Sequence, residues 1–163
     1  MSTGSYRRLL RALLVVPMLL AGHAHGFKNE PAGFRGIQWG TEYRSVADQF
    51  DRQVAPDLYR RKNDKLAMGE ARLESLRYSF YKGKFAGVLM QARLKENGRH
   101  LMDALRAEFG EGNPQSALEY FWNGERATII LDCDAAKDLC NLAIYSTATM
   151  RQRQADTKGG PGR

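Results

Sequence analysis

Two cysteines and three aspartates crowd the stretch L-D-C-D-A-A-K-D-L-C, Leu131 to Cys140. Thiols can exchange electrons, and paired carboxylates can act as acid and base or hold calcium. The spacing suits neither chemistry well. A redox pair places two cysteines two residues apart at a helix N-terminus, which stabilises the thiolate. Here six residues separate Cys133 and Cys140, which end one apolar run and begin the next. That arrangement predicts a structural disulfide closing a small loop and pinning a hairpin. Asp132, Asp134 and Asp138 lack the glycine and closing glutamate of a calcium loop, and aspartate is a common turn former. Their functional alternative is a hydrolase, active on sugars for example, with Asp or Glu residues at strand ends. His100 lies beside Arg99 in a helical pattern and reads as a surface residue. With so few histidines, and with the cysteines bonded to each other, a zinc site finds too few ligands. No G-x-S-x-G elbow surrounds Ser75, Ser79 or Ser116. The sequence implies no metal, no cofactor and no catalytic residue.

Groups suited to binding are easier to find. The run Y-R-R-K-N-D-K, Tyr59 to Lys65, offers cations for a phosphate, a lipid headgroup or an acidic peptide. Asp57 and Asp64 flank it, as in an ordinary solvated loop. Tyr78, Tyr120 and Trp122 fall on strand patterns, where successive side chains point to opposite faces; each either enters the core or is shown to a partner. Tyr59, Arg61, Tyr78, Tyr120 and Trp122 are therefore the candidate binding residues. Gly33, Gly36 and Gly40, in G-F-R-G-I-Q-W-G-T, match neither the dinucleotide nor the Walker spacing. The better expectation is a short strand, G-I-Q-W, that brings Trp39 to the core edge, with Gly40 turning the chain and Thr41 starting a helix.

The elements that must position these residues follow from periodicity. Tyr43, Val46, Ala47 and Phe50 form one stripe of a short helix capped by Thr41. Leu101, Met102, Leu105 and Phe109 form the stripe of a second, with Asn97 as its cap and Gly110 at its end. Strand patterns occupy D-L-Y-R-R-K, L-E-S-L-R-Y-S-F-Y and K-F-A-G-V-L-M-Q-A-R-L, the last two joined by Lys82-Gly83 as a tight hairpin. Beyond the second helix come A-L-E-Y-F-W, the turn Asn123-Gly124, A-T-I-I-L-D-C and C-N-L-A-I-Y-S. This order predicts an α+β fold, an antiparallel sheet with two helices on one face. It fits two tandem αβββ units, about 41–95 and 97–147, within one domain at 27–149.

Residues 1–26 read as an export signal: Arg7, Arg8 and Arg11 precede the run A-L-L-V-V-P-M-L-L-A-G, too short to span a bilayer, and small residues follow. Cleavage after Gly26 makes Phe27 the new N-terminus; cleavage after Ala24 is the alternative. His23 stands where a lipoprotein box would need its acylated cysteine. The formal charge of +7 falls to +4 without the three signal arginines, and the tail takes most of the rest, leaving residues 27–150 at +1. A nearly neutral domain lacks the basic face of a nucleic-acid binder. From Met150 the chain lacks apolar residues and predicts a disordered basic tail, 150–163.

The motifs F-R-G-I-Q-W-G-T, Y-R-R-K-N-D, R-Y-S-F-Y-K-G-K-F and F-G-E-G together resemble a group of small exported bacterial proteins of unknown function that share an F-x-G-I-x-W-G-T opening. The resemblance covers Phe34 to about Ser146. In its helix-plus-three-strand order the chain is also similar to β-lactamase-inhibitor-like repeats and to the outer-membrane barrel assembly lipoprotein, which implies action by offering a sheet face to another protein. The resulting expectation is a periplasmic or secreted, non-enzymatic module with no transmembrane segment in the mature chain, whose exposed sheet face recognises an envelope protein or a cell-wall component. The alternatives are a small hydrolase using the strand-end carboxylates and a carrier of lipid or another small ligand.

Overall fold

The computed structural model describes residues 26–158, so the expected export signal, apart from Gly26, and the last five residues of the tail lie outside the described part. A two-stranded ribbon opens the fold, β1 (Gly33–Phe34) against β2 (Ile37–Gln38). Trp39 follows as expected at the core edge: its ring tilts over Phe85 at 5.0 Å, and its Nε1–H donates to the Pro31 carbonyl at 2.9 Å. Gly40, at φ +82, turns the chain in the left-handed region that glycine enters without penalty. The first helix, α1 (Tyr43–Val46), is a single turn continued by a 3-10 turn at Ala47–Gln49. Its N-cap is Glu42 rather than Thr41.

Next come β3 (Phe50–Ala55) and β4 (Leu58–Arg61), a small ribbon of β5 (Ala67–Met68) and β6 (Ala71–Arg72), then β7 (Ser75–Tyr81) and β8 (Lys84–Arg93). Lys82 and Gly83, at φ 50 and 78, form the tight turn between β7 and β8, the two-residue conformation whose twist suits a hairpin. Helix α2 (Leu94–Phe109) crosses to β9 (Asn113–Ser116), β10 (Glu119–Asn123), β11 (Ala127–Asp134) and β12 (Leu139–Ser146), and α3 (Thr147–Lys158) ends the described chain. Asn97 is not the cap of α2. The helix begins three residues earlier, Asp138 accepts the Lys95 N–H at 2.8 Å, and buried Asn97 accepts the Arg72 N–H at 2.9 Å. Gly110, at φ 78, does end the helix.

Eight strands make one antiparallel sheet in the order β3-β4-β7-β8-β12-β11-β10-β9. Two four-stranded meanders thus meet at the β8–β12 seam, each preceded by a helix. Each unit gives four strands to this sheet where the sequence predicts three. The added strands are the two edges: β3 buries only Phe50, and β9, N-P-Q-S, is exposed throughout. Polar and proline-bearing edges resist pairing with other chains, and for the same reason they show no hydrophobic alternation to read.

The core lies between the sheet and the layer of α1 and α2. Leu101, Leu105 and Phe109 of α2 join Leu76, Tyr78, Phe80, Val88, Met90, Trp122, Ile129, Leu142 and Ile144 in one buried cluster. The opposite face carries α3, so the expected disordered tail from Met150 is helical as far as Lys158, in a helix that starts at Thr147. The sheet supplies the partners that the tail's own sequence lacks: the Arg153 guanidinium stacks 4.6 Å over the Tyr81 ring, Asp156 accepts the Tyr81 hydroxyl at 2.6 Å and pairs with Lys82 at 2.7 Å, and Thr147 meets Thr128 at 3.1 Å.

Candidate functional site

The five candidate binding residues sit on or beside the core face of the sheet. Tyr78 and Trp122 are 0% and 1% exposed, so neither is shown to a partner. Tyr78 donates to Asp64 at 2.6 Å, Arg35 pairs with the other oxygen of Asp64 at 2.5 Å, and burial together with the Asp64 bond holds the Tyr78 phenol far above its ordinary pKa. Trp122 donates to the Gly110 carbonyl at 2.9 Å, and half-buried Tyr120 packs beside it at 6.4 Å. Tyr59 is the direct cross-strand neighbour of Tyr78 and stacks on Tyr43 at 4.3 Å. Arg61 donates to the Arg35 carbonyl and to Gln49, at 2.9 and 2.7 Å. The structure therefore gathers Tyr59, Arg61 and Tyr78 into one packed cluster and Tyr120 and Trp122 into another.

The basic run does not converge on a ligand either. Arg60 pairs with Asp51 and Lys62 donates to the Asp48 carbonyl, so the three cations directly after Tyr59 each tie down a different neighbour. Two of the three strand-end aspartates are similarly occupied. Asp134 accepts the Ala136 and Lys137 N–H groups and pairs with Lys137 at 2.7 Å, which holds its carboxyl below the ordinary aspartate pKa, while Asp138 caps α2. They are turn and cap groups rather than an acid and base facing one pocket. Cys133 and Cys140 stand directly opposite each other on β11 and β12, with Cα atoms 4.0 Å apart, and form the expected disulfide.

The sheet face opposite the core is more informative, because strand registers align its side chains into rows. Arg77, Leu89, Ala143, Ile130 and Phe121 are successive cross-strand partners on β7, β8, β12, β11 and β10. Directly opposed residues share a face, and all five are half-buried, neither core nor fully solvated. On one side runs a polar row, Ser75, Gln91, Asn141, Asp132 and Glu119, in the same register. Ser75 donates to Gln91 at 3.1 Å and Gln91 to Asn141 at 3.0 Å, so part of this border is a hydrogen-bonded ladder. On the other side runs Ser79, Gly87, Tyr145, Thr128 and Asn123, and α3 lies over its centre. An apolar stripe four strands wide thus runs between a polar border and a helix.

One signal in the sequence could have found it. G-V-L-M, L-A-I, I-I-L and Y-F-W are unbroken apolar runs in antiparallel strands, and a strand with one solvated face alternates instead. The excess apolar residues fall on the second face.

Tyr145 shapes the covered end of this face. A Cβ on Gly87 would overlap its ring, so the ring rests on Gly87 and leans over β8 towards β7. A cleft of about 430 Å³ lies there, bounded by Leu58, Ser79, Tyr81, Leu89, Tyr145 and Arg153 among others.

No family model, curated protein or solved structure matches the chain. Among the described residues, no helix is long and apolar enough to cross a membrane, and no group of three or more His, Cys, Asp or Glu side chains is placed to hold a metal ion.

Proposed function

We propose that the protein is a non-enzymatic binding module, exported to the periplasm or beyond, whose second sheet face receives a segment of an envelope protein. The observation that carries this reading is the in-register stripe Leu89–Ala143–Ile130–Phe121, half-exposed in the middle of an eight-stranded sheet. Apolar surface of this kind gains free energy when a partner removes it from water. The ends of the stripe differ in charge, with Asp132 and Glu119 bordering the β10–β11 end and Arg77 at the β7 end. They favour a segment with an apolar centre, a basic flank towards β10 and an acidic flank towards β7. The disulfide fits an oxidising compartment, and the resemblance to small exported proteins points the same way.

The test is photo-crosslinking in intact cells from a reactive residue placed at Phe121, with one at Arg99 on the outside of α2 as control. The expected outcome is one envelope protein joined through Phe121, absent from the Arg99 sample and lost when Ile130→Asp is added. Equal capture at both positions, or joining only to further copies of this chain, refutes the proposal.

A further inference from the structure

The segment from Phe27 to Glu30 clamps the C-terminal end of α2 to the β10–β11 turn. The Phe27 ring meets Phe109 edge-on at 5.8 Å, Lys28 Nζ donates to the Ala107 carbonyl at 2.9 Å, and Asn29 Nδ2 donates to the Glu108 carbonyl at 2.8 Å. A helix leaves its last carbonyls without partners of its own, and here residues 79 positions earlier in the chain satisfy two of them. Glu30 carries the clamp across to the turn. Its Oε1 accepts the Arg126 and Ala127 N–H groups, and its carbonyl accepts an Arg126 Nη–H at 2.9 Å. Two backbone donors thus hold the carboxylate by one oxygen and leave Oε2 for another donor. The carboxylate joins no ion pair among the described residues. Its Oε2 faces the chain just before Phe27, where a Cβ added to Gly26 would lie 2.9 Å from it.

We infer that Glu30 is the docking site for the chain's own processed N-terminus, an α-ammonium created by cleavage between Gly26 and Phe27. A signal-removing protease hydrolyses that peptide bond: water gives its hydroxyl to the Gly26 carbonyl and a proton to the Phe27 nitrogen, and the amine takes up a further proton near neutral pH. Until then the same nitrogen is a neutral amide. Afterwards it is a cation beside a carboxylate that is already fixed in place, and a charge-assisted contact of this kind is stronger than one between neutral groups. The new charge also lies at the C-terminal end of α2, where the helix dipole favours cations. Processing therefore completes the clamp that Phe27, Lys28 and Asn29 begin. The inference rests on the reading of the protein as exported, and not on the partner proposed for the apolar stripe.

The test expresses the whole precursor in a bacterium and reads the mass of the product. The expected product begins at Phe27. A precursor that keeps residues 1–26 would overturn the export reading and this inference with it, whereas a product cut at another bond would overturn the inference alone. The α-amine of the product is then titrated by NMR beside that of Glu30→Gln, which keeps an oxygen for the Arg126 and Ala127 N–H groups. Lys28, Arg106, Glu108, Glu111, Glu125 and Arg126, the other charged groups on the surrounding segments, are the same in both proteins, so the difference isolates the pair. Pairing favours the charged amine, and its pKa should lie above that in the variant. Its stabilising effect is then complete below the unfolded value of about 7.7 to 8.0 and is lost as pH rises through the folded one. Acetylating the α-amine at about pH 6.5, where lysines stay protonated, should raise the unfolding constant in urea about threefold in the parent and leave Glu30→Gln unchanged. Equal α-amine pKa values in the two proteins, or an acetylation effect of the same size in both, refutes the pairing.

Discussion

Breaking the Cys133–Cys140 bridge should weaken the fold by an amount that the structure allows to be separated into two parts. The bonded residues lie seven apart in sequence. Closing so short a loop removes about 2.4 kcal/mol of chain entropy from the unfolded state at 25 °C. Reduction of the unmodified protein should lower the unfolding free energy by about that much. Replacing both cysteines with alanine adds a second effect, because Cys140 is 0% exposed among close-packed neighbours. Losing a buried group the size of a sulfur, with only partial relaxation around it, costs about 1 kcal/mol more. The double variant should therefore lie about 3.5 kcal/mol below the oxidised protein, and reduced protein between the two. Urea unfolding followed by circular dichroism measures all three. The slope against urea should also rise on reduction, since the freed chain exposes more surface when it unfolds. A loss under about 0.5 kcal/mol on reduction would refute the entropic account. Labelling of both cysteines in the native, unreduced protein would remove its premise.

Two further substitutions test the reassignment of the aromatic residues. Trp122→Ala should cost about 3 to 5 kcal/mol, as for other large side chains lost from a core, and also strand the Gly110 carbonyl that Trp122 now satisfies; stability equal to the parent in urea would place Trp122 outside the core. Tyr78→Phe should cost about 1.5 to 3 kcal/mol, the range for a hydrogen bond to a charged acceptor, because Asp64 loses a donor at 2.6 Å. In the intact protein the Tyr78 phenol is raised in pKa, first by burial and then by Asp64. Its stabilising effect is therefore complete below the unfolded value near 10 and declines as pH rises towards the folded value. Phenolate absorbance from this residue should appear only as the protein unfolds in alkali, and early titration in the folded state would contradict its burial.

Features written within a few neighbouring residues were legible in the sequence. Lys82-Gly83 can be read as a turn because glycine enters the left-handed region freely. The stripe of α2 follows from helical spacing, and the disulfide from two cysteines at the facing ends of a hairpin. What alternation could not supply was the direction of each strand. It shows that Tyr78 and Phe80 share a face, but not that this face is the core; contacts with Phe50 and Phe85, 28 and 5 residues away, decide that. Asp64 was misleading for the same reason. Inside a charged run it looks like loop solvation, yet it accepts bonds from Arg35 and Tyr78, brought from 29 and 14 residues away. The edge strands β3 and β9 were hidden because a protected edge has a polar sequence.

The tail shows how tertiary contacts can hold a segment that lacks any apolar stripe. T-A-T-M-R-Q-R-Q-A-D-T-K would not form a stable helix alone, being short of the length at which isolated helices persist. Its fixed points are directional: a guanidinium on an aromatic ring, a carboxylate between a phenol and an ammonium, and a pair of threonines. Such contacts place α3 at one end of the second face and leave the Leu89–Phe121 stripe beside it uncovered.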